Sequence, residues 1–459
     1  MKTNKIKFVL ALALPIMLFS CDSFIEVDLP QSQLTGAAVF ENASTANASL
    51  SDIYARLRES GVASGTTTSA RLLIGSYADD LAFYGSNTNI EQFNKHTLLP
   101  SNTLLTSSLW NASYGQIYAA NALIEGVQNS PSITGEDSTR LIGEALFIRA
   151  YVHFYLVNLF GDVPYIMTTD YNQNAVIFKT PQAQVWQYII DDLTQAESLL
   201  PESYPTSERV RANKAVAAAM LARVYLYTGD WTKAEIHAAA VIDNSDYVWE
   251  SNPESVFLKD SQSIIWSLHP GIAGQNTNDA RTFAFSSGPP SKSSLSTNLW
   301  NAFEPGDLRK ILWIKTVTNG TNTWYQPYKY KKNTATAASE EYTILFRLAE
   351  QYLIRAEARA HSGNISGAQD DLNKIRNRAG LANTTADTPE SLLTAIINER
   401  RFELFTEQGH RWLDLKRTGN AASTLSSVKP GWRPTDILLP LPEKELILNN
   451  NLLPQNPGY

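Results

Sequence analysis

The chain has 459 residues, of which 43% are hydrophobic and 18% charged, and its formal net charge is −7. This composition supplies enough apolar side chains for a large core and excludes a disordered or collagen-like chain. The acidic balance argues against a nucleic acid partner, because phosphate binding needs a basic surface. One cysteine excludes intrachain disulfides and all-cysteine metal sites, and none of the six histidines falls in a HExxH or HxH pattern. The composition therefore predicts no histidine- or cysteine-built metal site and no cofactor; acid clusters in loops could hold Ca²⁺, but none has the EF-hand pattern.

Residues 1–20 have the pattern of a secretory signal peptide. A basic start precedes an apolar run at residues 8–19, which is too short to span a bilayer. The next residue after this segment, Cys21, is the only cysteine of the chain. Its sulfur can carry a thioether-linked diacylglycerol, and acylation of the new amino group after cleavage would make anchoring stable. The sequence predicts lipidation at Cys21; the alternative is an ordinary signal peptide with an incidental cysteine.

Most of the body, residues 21–459, has the spacing of amphipathic helices. Apolar residues recur every three to four positions, which is the period of one helix face, most clearly at 110–123, 181–200 and 345–360. Residues 145–160 are apolar nearly throughout but contain Arg149, and they predict a buried helix because the segment is short for a membrane span. TPR-like helices are expected over about 40–60, 107–245 and 340–380.

Two predicted helix pairs share a spacing of small residues. Alanine, glycine and alanine follow one another at intervals of seven and five residues in both pairs: Ala222, Gly229, Ala234 and Ala356, Gly363, Ala368. A glycine ends each first helix, and the alanines allow two antiparallel helices to pack closely. Around the first set, Leu221, Tyr225 and Trp231 also fit the tetratricopeptide (TPR) pattern. The interpretation is TPR-like geometry, and the alternative is two unrelated helical hairpins.

Two polar regions, 61–106 and 246–335, interrupt the helices. Both are rich in Ser, Thr and Asn with aromatic residues between them, and the second has short β-like runs at 264–268 and 311–317. Long polar loops with aromatic residues are often functional in compact domains. The expected fold is mainly α, with TPR-like helical hairpins packed against an irregular, loop-rich region with short strands, followed by a C-terminal region at 390–459.

The sequence offers no recognisable catalytic constellation. It lacks a GxSxG elbow, a P-loop and a GxGxxG fingerprint. Glycoside hydrolysis needs two carboxylates about 5 to 9.5 Å apart, whereas neighbouring side chains on a helix do not face each other. Adjacent acids are therefore interpreted as solvated faces or caps: Asp79-Asp80, Asp191-Asp192, Glu340-Glu341 and Asp370-Asp371. The chain is predicted not to be an enzyme, with a lipid-anchored hydrolase as the weakest alternative.

Several segments carry motifs of one family, and they occur in the family's order along the chain. They are CDSFIEVDLP at 21–30, LWNASYGQIYAAN at 109–121, EALFIRAYVHFYLVNLFGDVP at 144–164, RLAEQYLIRAEARA at 347–360, and ERRFELFTEQGHRWLDLKRTG at 399–419 with the closing run at 439–459. With these motifs the sequence resembles the SusD/RagB family of outer-membrane nutrient-binding lipoproteins. The one departure is Phe19 within the lipidation signal.

The resemblance implies a helical protein with four TPR-like units packed against irregular loops. It implies a lipid-anchored protein on the outer face of a Gram-negative outer membrane. The implied partner is a SusC-like TonB-dependent β-barrel transporter, over which the lipoprotein sits as a hinged lid. The implied ligand is an oligosaccharide, which would be captured without chemistry and delivered to the barrel. A peptide-binding relative of the same architecture is the alternative.

The ligand is expected in the polar loops rather than on the repeat helices. Sugars present apolar C–H faces, which aromatic rings cover, and hydroxyl edges, which Asn, Gln, Arg or Asp satisfy. Loops 79–87, 275–285 and 322–326 offer both kinds of side chain. The candidate ligand-binding residues are Asp80, Phe83, Tyr84, Asn87, Asn276, Asn278, Arg281, Phe285, Trp324 and Tyr325. For each ring, packing beneath its own loop is the alternative.

The C-terminal region carries a dense set of charges. They are Arg400, Arg401, Glu403, Glu407, Arg411 and Asp414. Glu403 and Glu407 lie one helical turn apart, and arginines stand close enough in sequence to pair with acids. The favoured interpretation is a structural ion-pair network that holds the final segments against the helices, and ligand contact is the alternative.

Overall fold

The computed structural model describes residues 36–459. Long helices from the N-terminal and C-terminal halves of the chain pack side by side in a single row. The predicted signal peptide 1–20 and the predicted lipidation site Cys21 lie outside the described residues. The α-helices are α1 Gly36–Val39, α2 Ala43–Glu59, α3 Ala70–Tyr77, α4 Thr88–Lys95, α5 Ala112–Gln128, α6 Gly135–Phe160, α7 Tyr171–Asn174, α8 Gln182–Leu199, α9 Lys214–Thr228, α10 Trp231–Ile242, α11 Asn278–Phe283, α12 Thr297–Ala302, α13 Leu308–Leu312, α14 Leu348–His361, α15 Ile365–Arg378, α16 Pro389–Leu404, α17 His410–Arg417, α18 Ala421–Leu425 and α19 Glu443–Leu448.

The long helices pack in sequence, each on the next. The contacts run from α2 to α5, α6, α8, α9 and α10, and then directly to α14, α15 and α16. Because α10 contacts α14, the two TPR-like pairs are neighbours in space although about a hundred residues separate them along the chain. The intervening segment, residues 243–347, leaves the row and supplies five of the six short strands described below.

The repeated spacing of small residues explains how the two helices of each TPR-like hairpin turn and pack closely. Gly229 and Gly363 have φ of +78°, a left-handed conformation that ends α9 and α14 at low cost for glycine. Asp230 and Asn364 then cap α10 and α15, since their side chains accept hydrogen bonds from the backbone N–H three residues on. The four alanines of the pattern are fully buried: Ala222, Ala234, Ala356 and Ala368. The prediction of two closely packed, TPR-like hairpins is confirmed.

Helix α6 is the centre of the core, as predicted for residues 145–160. Every residue from 143 to 160 is buried. Its polar side chains have internal partners: Arg149 pairs with Asp192 of α8 at 2.6 Å, and His153 Nδ1 lies 2.8 Å from the Arg149 carbonyl oxygen. Burial lowers the pKa of His153 to about 3, so the ring is neutral. Between residues 36 and 459, no helix combines the length and apolar character that crossing a bilayer requires.

Six short strands accompany the helices in the described part of the chain. They are β1 Leu81–Phe83, β2 Ile264–Leu268, β3 Ser293–Leu295, β4 Ile314–Thr318, β5 Thr323–Pro327 and β6 Thr343–Arg347. Strands β2 and β6 form an antiparallel pair, and the other four form an antiparallel sheet in the order β1-β3-β5-β4. The mainly helical fold with small sheets is as predicted.

Three local predictions need correction. The helix predicted from Leu345 begins at Leu348, because Thr343–Arg347 is rich in β-branched and aromatic residues and pairs with β2. The β-like run at 311–317 is divided, since Asp307 caps α13 and the strand starts only at Ile314. The polar region 61–106 also contains α3, α4 and β1, because part of its Asn and Ser content serves as helix caps rather than loop.

Candidate functional site

The four-stranded sheet brings two of the predicted ligand loops together. Leu81 of β1 lies opposite Leu295 of β3, and Leu295 lies opposite Tyr325 of β5. Residues directly opposite on antiparallel strands share a face of the sheet. Tyr84 continues the pairing, since its N–H donates to the carbonyl oxygen of Lys292 at 2.7 Å. Loops 79–87 and 322–326, far apart along the chain, therefore meet across β3.

The third predicted loop, 275–285, reaches the same sheet. The N–H of Phe285 donates to Oε1 of Gln326 at 3.4 Å. Helix α11 precedes this contact, and Thr277 caps it through a hydrogen bond accepted from the N–H of Asp279 at 3.1 Å. All three predicted ligand loops thus reach the four-stranded sheet: 79–87 through β3, and 275–285 through β5, which contains 323–326.

Two stacked rings stand on this sheet. Tyr325 and Trp300 are nearly parallel, with ring centres 4.3 Å apart and an angle of 11° between planes. Nζ of Lys310 lies 4.3 Å from the centre of the Trp300 ring. Tyr84, at the end of β1, is 47% exposed. Such rings offer the flat apolar surface that a pyranose face needs.

A cavity of about 320 Å³ opens beside β5. Its walls come from α11 and the residues after it, from β4, and from β5 with the turn that follows. The lining residues are Ala280, Ala284, Phe285, Ser286, Lys315, Gln326, Tyr328, Tyr330, Lys331 and Asn333. The set combines aromatic rings with amide, hydroxyl and ammonium donors, so it can hold a polar ligand by both stacking and hydrogen bonds. Tyr325 and Gln326 are successive residues of β5, so the stacked pair and this cavity lie on opposite faces of the sheet. We refer to the Trp300–Tyr325 pair and this cavity together as the sheet site.

Some predicted ligand residues have internal partners instead. Asp80 is buried, and its Oδ1 accepts from Nε of Arg401 at 2.9 Å; burial raises the pKa of Asp80. Its neighbour Asp79 accepts from both Arg401 and Arg411. Burial alone would raise the pKa of Asp79, but the hydrogen bond from Arg411 and the charge of Arg401 hold it below its ordinary value. These carboxylates tie the start of β1 to the C-terminal helices.

Asn276 holds two loops together. Its Nδ2 donates to the carbonyl oxygen of Thr334 at 3.1 Å, and its Oδ1 accepts from the N–H groups of Glu340 and Glu341. The residue is 2% exposed. Arg281 is exposed, and its Nη2 donates to the carbonyl oxygen of Asn276 at 3.1 Å.

The remaining predicted residues divide by exposure. Asn87 caps α4 by accepting from the backbone N–H groups of Asn89 and Ile90. Trp324 is 7% exposed and lies against Gly288, where a Cβ atom would come within 2.0 Å of the ring. The other half-buried or exposed predicted residues are Phe83, Tyr84, Asn278, Arg281, Phe285 and Tyr325, of which Phe285 lines the cavity and Tyr325 belongs to the stacked pair.

Sequence reasoning missed Trp300, Lys310, Lys315 and Tyr328. None of them stands in a motif. Lys315 and Tyr328 approach through the pairing of β4 with β5, whereas Trp300 of α12 stacks on Tyr325 and Lys310 of α13 lies over Trp300. Lys315 lies opposite Gln326 in that pairing. The only signal in the sequence is the short polar turn at 319–322, which joins the two strands and is typical of a hairpin.

The C-terminal charges form a buried ion-pair network, as predicted. Glu403 of α16 accepts from Arg347, Arg378 and Arg309. Burial alone would raise the pKa of Glu403, but the three guanidinium groups hold it well below its ordinary range. Arg400 pairs with Asp414 at 2.8 Å. The network fixes β6 and α13, on either side of the sheet, to α15, α16 and α17.

The same network reaches the turn after β5. Nζ of Lys329 donates to Glu407 at 2.5 Å and to the carbonyl oxygens of Glu403 and Phe405 at 2.8 Å each. Burial lowers the pKa of Lys329 to about 8. Within residues 36–459, the structure contains no group of three or more His, Cys, Asp or Glu side chains placed to hold a metal ion.

Comparison with known proteins gives consistent relatives. A family model described as SusD-like, "Starch-binding associating with outer membrane", matches residues 26–226, and the model of the "SusD family" matches residues 313–459. SusD-like protein P2 of Formosa agariphila is 29% identical over 100% of this chain and 100% of its own length.

Solved structures agree. A SusD superfamily protein from Bacteroides vulgatus superposes with a TM-score of 0.80 at 21% identity, covering 91% of this chain and 99% of that one. A "laminarin binding SusD-like protein" superposes with a TM-score of 0.76 at 25% identity, covering 91% and 100% of the two chains. The family is one of binding proteins rather than enzymes, in agreement with the prediction from sequence. With both terminal parts matched by its models, the chain belongs to the SusD/RagB family.

Proposed function

We propose that this protein captures an oligosaccharide at the sheet site and delivers it to a SusC-like TonB-dependent transporter of the outer membrane. The observation that carries the proposal is the parallel Trp300–Tyr325 pair on a sheet that all three predicted ligand loops reach, with a polar cavity on the opposite face of that sheet. Stacked rings match the C–H face of a sugar, and the amide of Gln326 and the phenol of Tyr328 suit its hydroxyl edge.

The relatives support a glycan as the ligand class. One matched family model is described as starch-binding, and one structural relative is described as laminarin-binding. Both names concern neutral glucans. A peptide ligand is the second candidate carried by the family resemblance, and the parallel ring pair favours a sugar over it.

The proposed location and partner follow from the resemblance to the family and from the N-terminal sequence. We infer that Cys21 carries lipid and holds the protein at the outer membrane, facing outward, so that the body covers the barrel of the transporter. The description of the matched family model, associating with the outer membrane, supports this location.

Replacement of the stacked rings tests the site. Calorimetric titration with laminarin oligosaccharides should show that Trp300→Ala and Tyr325→Ala each weaken binding about thirtyfold, since a stacked anchor contributes about 2 kcal/mol. Tyr171→Ala is the matched control, because Tyr171 is 77% exposed on α7 and should leave affinity unchanged. Unchanged affinity in both ring variants, with laminarin bound by all proteins, would place the site elsewhere.

A further inference from the structure

Two half-buried rings of the sheet site, Trp300 and Tyr328, have lysines beside them. Nζ of Lys310 lies 4.3 Å from the centre of Trp300, and Nζ atoms of Lys315 and Lys331 each lie 5.7 Å from the centre of Tyr328. These distances are within the range of cation–π contact. Lys292 adds a further ammonium group to the loop opposite Tyr84.

These lysines lack strong acidic partners. In the part of the chain that the structure describes, no carboxylate oxygen lies within 4.0 Å of the Nζ atom of Lys310 or Lys315. Among the residues that the structure describes, the ammonium group of Lys331 lies within 4.0 Å only of Glu254, at 3.8 Å, and that carboxylate is 58% exposed. The backbone N–H of Lys331, by contrast, donates to the carboxylate of Glu341 at 2.8 Å. Lys329, in the same segment as Lys331, differs from these lysines because its ammonium group is buried and paired with Glu407. The charges that face the site are therefore available to a ligand.

The cavity concentrates this positive charge. Its lining includes Lys315 and Lys331 but no Asp or Glu side chain. Lys315 is held beside Gln326 by the pairing of β4 with β5, and Gln326 in turn accepts from the N–H of Phe285. A basic cavity runs against the net charge of the whole chain, which is −7. A concave site lined by one sign of charge raises the local concentration of ligands of the opposite sign.

We propose that the cavity of the sheet site selects an anionic oligosaccharide, whose sugar ring packs on Tyr328 while its carboxylate or sulfate group lies between Lys315 and Lys331. This inference rests on the proposed function and names its substrate class. An ammonium group is a compact point charge that serves either anion, because it imposes no planar bidentate geometry. A neutral glucan would leave these ammonium groups without a counter-charge.

Matched pairs of probes test the charge. The mature, full-length protein is titrated with hexagalacturonate and with its methyl ester, and separately with dextran sulfate and with dextran of the same length. At low salt the charged member of a pair should bind about fivefold more tightly for each lysine it meets. Preference within the first pair identifies a carboxylate, preference within the second a sulfate, and either supports the proposal.

Lysine variants connect the preference to the cavity. Lys315→Gln should reduce the preference for the charged probe about fivefold and leave the neutral probe unchanged. Lys444→Gln makes the same change in net charge at an exposed lysine of α19, outside the sheet site, and should leave the preference intact. Melting curves confirm that the variants are folded, which is expected because Lys315 is exposed.

Two results would overturn the anionic assignment. One is equal binding of the charged and neutral members in both pairs; the other is a Lys444→Gln effect as large as that of Lys315→Gln. Titration with laminarin separates this failure from failure of the proposed function. If laminarin binds and Trp300→Ala abolishes that binding, the glycan site stands without its anionic specificity. If neither laminarin nor any of the four probes binds, both proposals are wrong.

Discussion

Tyr84 and Trp324 come from loops of similar composition, yet the structure gives them different environments. Tyr84 is 47% exposed, whereas Trp324 is 7% exposed and packs on Gly288. A ring that is already covered by its own chain contributes mainly to folding, because its apolar surface is removed from water before any ligand arrives.

The two rings should therefore respond differently to replacement. Trp324→Ala should lower the free energy of unfolding by about 3 kcal/mol, as expected for loss of a large buried ring. Tyr84→Ala should leave the melting temperature nearly unchanged and weaken glycan binding, if that ring meets the ligand. Melting curves and calorimetric titration of both variants measure this; a stable Trp324→Ala protein would contradict the packing described.

Asp414 illustrates how one residue supports the C-terminal network. It accepts hydrogen bonds from Arg400 and Arg417, both at 2.8 Å. Burial alone would raise its pKa, but these two charges hold the pKa of Asp414 below its ordinary value.

Asp414→Ala should destabilise the protein by about 3–5 kcal/mol, because it leaves Arg400 buried without its carboxylate. Chemical denaturation measures the loss, and Asp260→Ala, at a side chain 85% exposed, is the control. Laminarin affinity of the folded fraction should be unchanged. A variant with normal stability and no ligand binding would favour ligand contact over the structural role.

At the scale of elements, a histidine of helix α6 makes the stability of the folded protein depend on pH in the acid range. His153 is fully buried on this helix and stacks on Tyr165, with ring centres 3.9 Å apart. Its pKa is about 3 in the folded protein, whereas an unfolded histidine titrates near 6.5. Between these values the unfolded chain binds the extra proton, so stability falls as the pH falls from about 6.5 towards 3.

His153→Phe should therefore flatten the acid limb of the stability curve. The expected difference in slope approaches about 1.4 kcal/mol per pH unit, the effect of one proton. Comparison between pH 6.5 and 5 is the most direct, because most carboxylates remain ionised there. Denaturation curves at several pH values measure it; parallel curves for the two proteins would mean that His153 is protonated in the folded state or opens to solvent.

At the scale of the whole molecule, buried ion pairs join the helical row to the segment that carries the sheet site. The segment 243–347 leaves the row after α10 and returns at α14, which packs against α10. Arg309, within this segment, and Arg347, at its end, both donate to Glu403 of α16. The sheet site is thus attached to the helices through buried ion pairs as well as apolar contacts, and this attachment fixes its position relative to the row.

Anchoring is a property of the complete protein and follows from the N-terminal sequence. Cys21→Ala should move the protein from the membrane fraction to a soluble or incompletely processed form, because the acyl chains would have no site of attachment. Fractionation with a high-salt wash, followed by detection of the protein, measures the change, and Ser23→Ala is the control. Retention of the Cys21→Ala protein in washed outer membranes would indicate a second anchor, such as the transporter.

The sequence by itself determined the helices, the two hairpins and the structural use of the C-terminal charges. Helix periodicity, capping residues and left-handed glycines act within a few residues, so Ala222, Gly229 and Ala234 predict their own packing. The tertiary structure alone decided that the second hairpin continues the row, because contact between α10 and α14 depends on where the 243–347 segment returns.

The candidate site divides in the same way. Its three loops were predictable, because polar and aromatic residues stand together in them. Whether a given residue faces the ligand was not: Asp80 and Asn276 are used by partners far away in sequence, Arg401 and Glu341 among them. Lys315 joins the site only through the pairing of β4 with β5. Strand pairing and buried ion pairs depend on segments that approach from a distance, and no local pattern in the chain specifies which side chains they cover and which they leave exposed.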